Sequence, residues 1–293
     1  GQAPDPDKRP HVVNNSWGDC GAAYDGWYQD VVNAWHAAGI YPVFSNGNAS
    51  NCGYSAPPGL NTVGNPGRYG NVTGVGSSGK SNGQYAPHSN WGPTDNADTV
   101  NPRGYAYLKP QVLAPGVDIR SSVPTSDTSY EDGWTGTSMS APHVTGLIAL
   151  MWSAAPHLIG NYAATETLLE ETATPIPYAS AGTPPPGPGN VPNYATGWGE
   201  INAPAAVQAA MALEDAGTLQ GAVRGTGGAP LAGARVDIFD GTNTWTVTTD
   251  AAGNYQRPTA AGTYDVTASS YGYLPSTAGG VEVSKDQTTT QNF

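Results

Sequence analysis

The chain has 293 residues, a formal net charge of −12 and a pI of about 4.5. That acidity argues against a nucleic-acid partner and against an anionic membrane surface. The densest apolar run, "VTGLIALMWSAA" at 144–155, is too short to cross a bilayer. Only 12% of residues are charged, against roughly 25% in ordinary soluble proteins, and 39 Gly with 26 Pro predict many turns.

Residues 10–16, "PHVVNNS", predict a short buried strand. In "YDGWYQDVVNAWHAAG", Trp27, Val31 and Trp35 recur at helical spacing with Tyr28 and Val32 beside them, and Gly39 stops the helix. "IYPVFSNGN" is a second strand. Strand, helix, strand makes a βαβ unit with parallel strands. "NVTGVGSS" and "KPQVLAPGVDIRSS" continue the series. Residues 138–153 predict a helix apolar on nearly every side and therefore buried, with Pro142 tolerated in its first turn. Residues 165–172 predict a more exposed helix, 175–194 a Pro/Gly-rich loop, and 201–217 a last helix. Past Gly217, short alternating runs separated by Gly, Asp or Asn predict a small antiparallel sandwich. The domain boundary falls near 214–218.

Ligands of an open α/β sheet bind beyond the carboxyl ends of its strands. "NNSWGD", "SNGN" and the loop into "GTSMS" lie there and supply a hydroxyl, a carboxamide and free N–H groups, a set suited to acyl transfer. Read from the residues alone, a helix N-cap is the commoner job for Ser138, and a turn residue is the alternative for Asn48. His143, five positions after Ser138, is about 7.5 Å along the helix and roughly 140° round it, the wrong place for a base; it reads as a hydrogen-bonded core histidine. His11, His36, His88 and His157 have no motif around them, and Glu131 and Asp132 read as solvated.

"GTSMSAPHVTG" closely resembles the serine motif of subtilisin-like proteases. "VVNNSWG", "PVFSNGN", "KPQVLAPG" and "GWGEINAPAAV" resemble further segments of that family in the right order. The resemblance covers about 10–212 and is nearest to the bacillopeptidase-F-like secreted branch. It implies a doubly wound parallel α/β sheet over 1–214 and a serine endopeptidase acting on protein substrates. Ser138 takes the nucleophile's place and Asn48 the oxyanion donor's. Ser16, Trp17 and Gly18 match the strand that pairs with substrate backbone. Asn46 and Gly47 join the substrate-binding set, although Asn46 stands where the family more often has a small residue.

The family's Asp-(Ser/Thr)-Gly and His-Gly-Thr motifs, which hold the acid and the base, occur nowhere in the chain. With Gly1 rather than Met first and no leader, the expectation is a processed form or fragment lacking the N-terminal part of its own peptidase domain. The alternative is a non-catalytic subtilase-derived binding or structural protein. Residues 218–293 resemble the carboxypeptidase regulatory-like domain, a transthyretin-like sandwich with no chemistry of its own. The resemblance implies an extracellular location, no required cofactor and no assigned metal site; structural calcium stays open. Cys20 and Cys52 follow strands ending at the same sheet edge, so an oxidising compartment predicts a disulfide between them, with two buried free thiols as the alternative.

Overall fold

The computed structural model describes residues 8–293 apart from 22, 80–82, 97–100, 177, 179–186, 188, 214–215 and 243. Half of the expected 175–194 loop and part of the 214–218 boundary lie outside the described residues. The chain divides into two compact units. One comprises 1–101 and 106–207, the other 102–105 and 208–293.

The first unit is built on four strands: β1 (Val12–Asn15), β2 (Tyr41–Ser45), β3 (Thr73–Ser78) and β4 (Val112–Pro115). They run in the order β1-β2-β3-β4, every neighbouring pair parallel. β2 and β3 are buried along their whole length, as strands of a sheet covered on both faces must be. β1 differs from the expected buried strand. Val12 and Val13 are half-buried and Asn14 is exposed, because β1 is an edge strand paired only with β2 among the described strands. After β4 comes an antiparallel hairpin of β5 (Ile119–Ser122) and β6 (Tyr130–Trp134).

Between β1 and β2 the chain forms a 3-10 turn, Gly26–Tyr28, and then α1 (Gln29–Ala37). Trp27 donates its N–H to Asp25 Oδ1 at 3.1 Å, which caps the turn. The tighter start shifts the expected apolar stripe. Val32 is the helix residue wholly buried, with Tyr28 and Trp35 packed against Phe44, Tyr69 and Val72, while Trp27 and Val31 face solvent.

α2 (Thr137–Ala154) packs along the sheet and touches all four strands. It buries Val144, Leu147, Ile148, Met151 and Trp152. The expectation of burial all round is corrected. Pro142, His143, Gly146 and Leu150 are exposed, since the sheet covers one side only. α3 (Tyr162–Thr172) corrects the opposite way, with Ala164, Thr165, Leu168, Leu169 and Glu170 buried. Its polar residues are accommodated by partners: Trp152 Nε1–H donates to Thr165 Oγ1 at 2.9 Å. α4 (Ala203–Ala212) follows.

Under α3 lies a buried polar network. Lys109, wholly buried, donates from Nζ to the Val72 carbonyl at 2.6 Å and to Gln111 Oε1 at 3.2 Å. Gln111 Nε2–H donates to Glu166 Oε1 at 3.1 Å. Burial pushes the Lys109 ammonium down to about 7, against the attraction of Glu166 and Glu170, and pushes Glu166 up. An unfolded lysine titrates near 10.4, so from about pH 7 upward the unfolded chain holds the extra proton and stability rises with pH. Glu166, whose burial pushes its carboxyl up, acts with the opposite sign. The urea midpoint is expected to be higher at about pH 9 than at about pH 7, and Lys109→Met to flatten that slope.

The second unit is all-β: β7 (Ala216–Ala222), β8 (Arg235–Phe239), β9 (Thr244–Thr248), β10 (Asn254–Ala260), β11 (Gly262–Ser269), β12 (Ser276–Val283) and β13 (Thr288–Thr290). They form a three-stranded sheet, β10-β7-β13, and a four-stranded sheet, β12-β11-β8-β9. Alternating residues of both sheets, including Leu219, Tyr255, Val236, Ile238, Val266 and Val283, share one core. The expected all-antiparallel pairing fails at one place: β13 runs parallel to β7, with Thr288 opposite Thr218. The chain enters β13 from the other sheet rather than by a hairpin, so no tight turn forces reversal.

Candidate active site

Three segments distant in sequence converge at the carboxyl ends of β1 and β2. Ser16 follows β1, Asn46–Asn48 follow β2, and Gly136–Ser138 open α2 just after the β5–β6 hairpin. Ser16 Oγ donates to the Ser138 carbonyl at 2.8 Å, and Ser138 Oγ donates to the Ser16 carbonyl at 3.3 Å. The N-cap reading of Ser138 is set aside, because the helix begins at Thr137 with Gly136 as its cap residue. Ser138 is half-buried, and its hydroxyl is turned out toward the β1 terminus.

The cap comes from outside the helix. Thr137 donates its N–H to Asn48 Oδ1 at 2.9 Å and its hydroxyl to the same oxygen at 3.1 Å. A backbone N–H can only donate, so Asn48 must present its oxygen there and its NH₂ elsewhere. Nor does Asn48 cap the 3-10 turn, Ala49–Cys52, that it precedes; its side chain is free for α2. Gly136 has φ +152, and a Cβ on it would lie 3.4 Å from Asn48 Nδ2. Glycine therefore keeps open the space beside that amide. Ser138, second residue of α2, has an N–H with no carbonyl one turn back to accept it. The positive end of an 18-residue helix adds to both donors. This corner is suited to a developing negative charge.

Trp17 is 41% exposed and stands edge-on to Tyr28 and Phe44, at ring-centroid distances of 5.1 and 5.4 Å. Gly18 is exposed. The next residue, Asp19, donates its N–H to the Asn65 carbonyl at 2.9 Å and accepts the Asn65 N–H on Oδ1 at 3.0 Å, which pins this loop. Gly47 has φ +98 and is half-buried. Asn46 lies apart from the others. Its side chain is wholly buried and donates to the Asn90 carbonyl, so it turns inward.

A cavity of about 520 Å³ adjoins Ser138. Asn14, Ser16, Arg120, Trp134, Met139 and His143 are among its walls. The reading of His143 as a core histidine is corrected: it is exposed, with Nδ1 2.8 Å from the Met139 carbonyl. Sequence reasoning missed Thr137, which orients Asn48, and the β5–β6 residues that wall the cavity. Thr137 is visible inside the serine motif; the hairpin carries no motif of its own. Among the described residues, no group of three or more His, Cys, Asp or Glu side chains could hold a metal ion, and no helix is long and apolar enough to cross a membrane.

The family model described as the subtilase family matches residues 2–199. The chain belongs to the subtilase family. The carboxypeptidase regulatory-like domain model matches residues 218–293 of this subtilase. Bacillopeptidase F of Bacillus subtilis is 40% identical over 206 residues, which are 70% of this chain and 13% of that protein. An extracellular protease of Xanthomonas campestris is 40% identical over 105 residues, 34% of this chain and 16% of its own. Subtilisin DY of Bacillus licheniformis is 32% identical over 163 residues, 56% of this chain and 49% of its own. The subtilase chain thus spans less than half the length of each of these relatives.

Cys20 and Cys52 are disulfide-bonded, with Cα atoms 5.2 Å apart, and neither is a free thiol. The bond joins the loops after β1 and β2, across a sequence separation of 32. Cross-linking a loop of that size stabilises by about 3–4 kcal/mol in the chain-entropy account. Reduction is therefore expected to lower the melting temperature of the first unit by about 10 °C. Titration of the unfolded, unreduced chain should find no thiol; two reactive thiols would refute the bond.

Proposed function

We propose that this subtilase chain carries the nucleophile and the oxyanion corner of a serine endopeptidase, and that the base and its carboxylate partner come from outside these 293 residues. The observation that supports this most is the hydrogen bond from the Thr137 N–H to Asn48 Oδ1, which holds the Asn48 carboxamide at the start of α2, one residue before Ser138. Ser138 Oγ attacks the scissile carbonyl carbon. The oxyanion is held by Asn48 Nδ2–H and the Ser138 N–H; the C–N bond then breaks, and the leaving amine departs with the proton that the outside base took from Ser138 Oγ, giving an acyl-enzyme that water hydrolyses. Ser16–Gly18 pair with the substrate backbone as an added strand.

A base is the part that these residues do not supply. The acceptor of the Ser138 hydroxyl is a peptide carbonyl, which orients the proton but does not take it. Along the chain of a subtilisin the triad runs Asp, then His, then Ser. Both partners would therefore come from an upstream segment bearing Asp-(Ser/Thr)-Gly and His-Gly-Thr. The outer edge of β1, the bare side of α2 and the cavity beside Ser138 give that segment somewhere to pack. It adds a strand beside β1 and covers Pro142, His143 and Leu150.

The substrates are proteins or peptides, with no role for nucleic acid. The disulfide and the extracellular relative favour a secreted protein. Residues 218–293 form a transthyretin-like sandwich that serves as an accessory module. The experiment is peptide hydrolysis by the chain expressed with its upstream coding segment. Turnover that Ser138→Ala removes supports the endopeptidase reading; no turnover in the complete protein favours the non-catalytic one.

A further inference from the structure

The peptide that carries Asn48 is held by a second strand-like segment. Asn90 donates its N–H to the Gly47 carbonyl at 3.0 Å, and Ala49 donates its N–H to the His88 carbonyl at 2.8 Å. Asn48 is thereby paired antiparallel with Ser89. Ser89 is fixed in turn. The Tyr85 hydroxyl donates to its carbonyl at 2.8 Å, and Ser89 Oγ accepts the Ser77 N–H at 3.1 Å.

Two wholly buried asparagines close this arrangement. Asn46 donates from Nδ2 to the Asn90 carbonyl. The Asn90 side chain lies directly against Gly47, where a Cβ would come within 2.6 Å of Asn90 Nδ2. The fit is costly. Asn46 Oδ1, Asn90 Oδ1 and Asn90 Nδ2 are buried without a hydrogen-bond partner among the described residues. Unpaired buried polar atoms destabilise a fold, and small apolar side chains would avoid that cost. What the pair supplies instead is the location of the Gly47–Asn48 peptide.

We propose that Asn46 and Asn90 are positioning residues that hold Gly47–Asn48 where the Asn48 carboxamide meets the start of α2. This rests on the reading of Asn48 as oxyanion donor, and it takes Asn46 out of the substrate-binding set. Displacing a catalytic group by about 1 Å can cost ~10²-fold in rate, so loss of either asparagine is expected to lower kcat roughly 10-fold to 100-fold with KM nearly unchanged.

The test combines one measurement on this chain with a kinetic cycle on the chain joined to its upstream segment. Asn90→Ala keeps both backbone hydrogen bonds and deletes two unpartnered atoms, so it should fold with an undiminished melting temperature. In it the side-chain amide resonances of Asn48 are expected to shift. In the cycle, Asn46→Ala and the isosteric Asn46→Asp should lower kcat in the native background and add nothing to Asn48→Ala. Unchanged Asn48 resonances, or a kcat loss that adds to that of Asn48→Ala, would overturn the proposal. A silent Asn48→Ala would remove the oxyanion reading itself and the proposal with it, whereas a strong Asn48→Ala beside a silent Asn46→Ala removes the proposal alone.

Discussion

Ser138→Ala, made in the chain joined to its upstream segment, is expected to lower kcat by about 10⁶-fold, the size known for the nucleophile of subtilisin. KM should move little, because Ser138 Oγ contributes a bond to the transition state rather than to substrate binding. The fold should survive the change. Ser138 Oγ makes one long hydrogen bond, 3.3 Å to the Ser16 carbonyl, and the reciprocal bond from Ser16 Oγ to the Ser138 carbonyl needs no side chain at 138. A melting temperature within a degree or two of the parent, measured beside the rate, separates lost chemistry from lost structure. A variant that keeps a tenth of the parent's activity would place the nucleophile elsewhere.

Asn48→Ala is expected to lower kcat by about 10²–10³-fold, again the size known for the oxyanion asparagine of subtilisin. Part of the loss has a local cause. On the proposed reading, the substitution takes away the NH₂ that faces the oxyanion. It also strips the Thr137 N–H of the oxygen that caps α2, and losing a helix cap costs about 1 kcal/mol. Asn48→Asp divides the two. It keeps the cap acceptor and even favours the helix end, but it has no donor and brings a negative charge to an anion site. Stability is expected to hold in Asn48→Asp while kcat falls at least as far as in Asn48→Ala. A raised KM with kcat unchanged would make Asn48 a substrate contact.

Much of this was legible in the sequence because local pattern and tertiary role coincide. "YPVFS" is apolar or small throughout and sits buried on both faces as β2. "GTSMS" places a glycine, a capped N–H and a hydroxyl within five residues, and the structure joins the Thr137 N–H to Asn48 Oδ1. What could not be read depends on partners distant in the chain. Trp27 and Val31 share the helical spacing of Trp35, yet they face solvent beside a helix that starts as a 3-10 turn. Thr165 and Glu170 look like a solvated face until Trp152 and the Lys109 network are placed over them. Asn46 resembles its neighbours in the Asn-Gly-Asn run, and only the position of Asn90, 44 residues on, turns it inward. β13 runs parallel to β7 because of the sheet it comes from, which three threonines do not encode.

The most direct measurement is the rate at which a serine-directed fluorophosphonate labels Ser138, in the purified 293-residue chain and in the same chain joined to its upstream segment. A serine without a base is a weak nucleophile, and binding plus an oxyanion hole alone leave only about 10³–10⁴-fold catalysis over water. The expected result is fast, stoichiometric labelling of Ser138 in the joined protein and negligible labelling in the chain by itself. Fast labelling of Ser138 in the chain by itself would contradict this, because one of its five histidines would then be serving as the base.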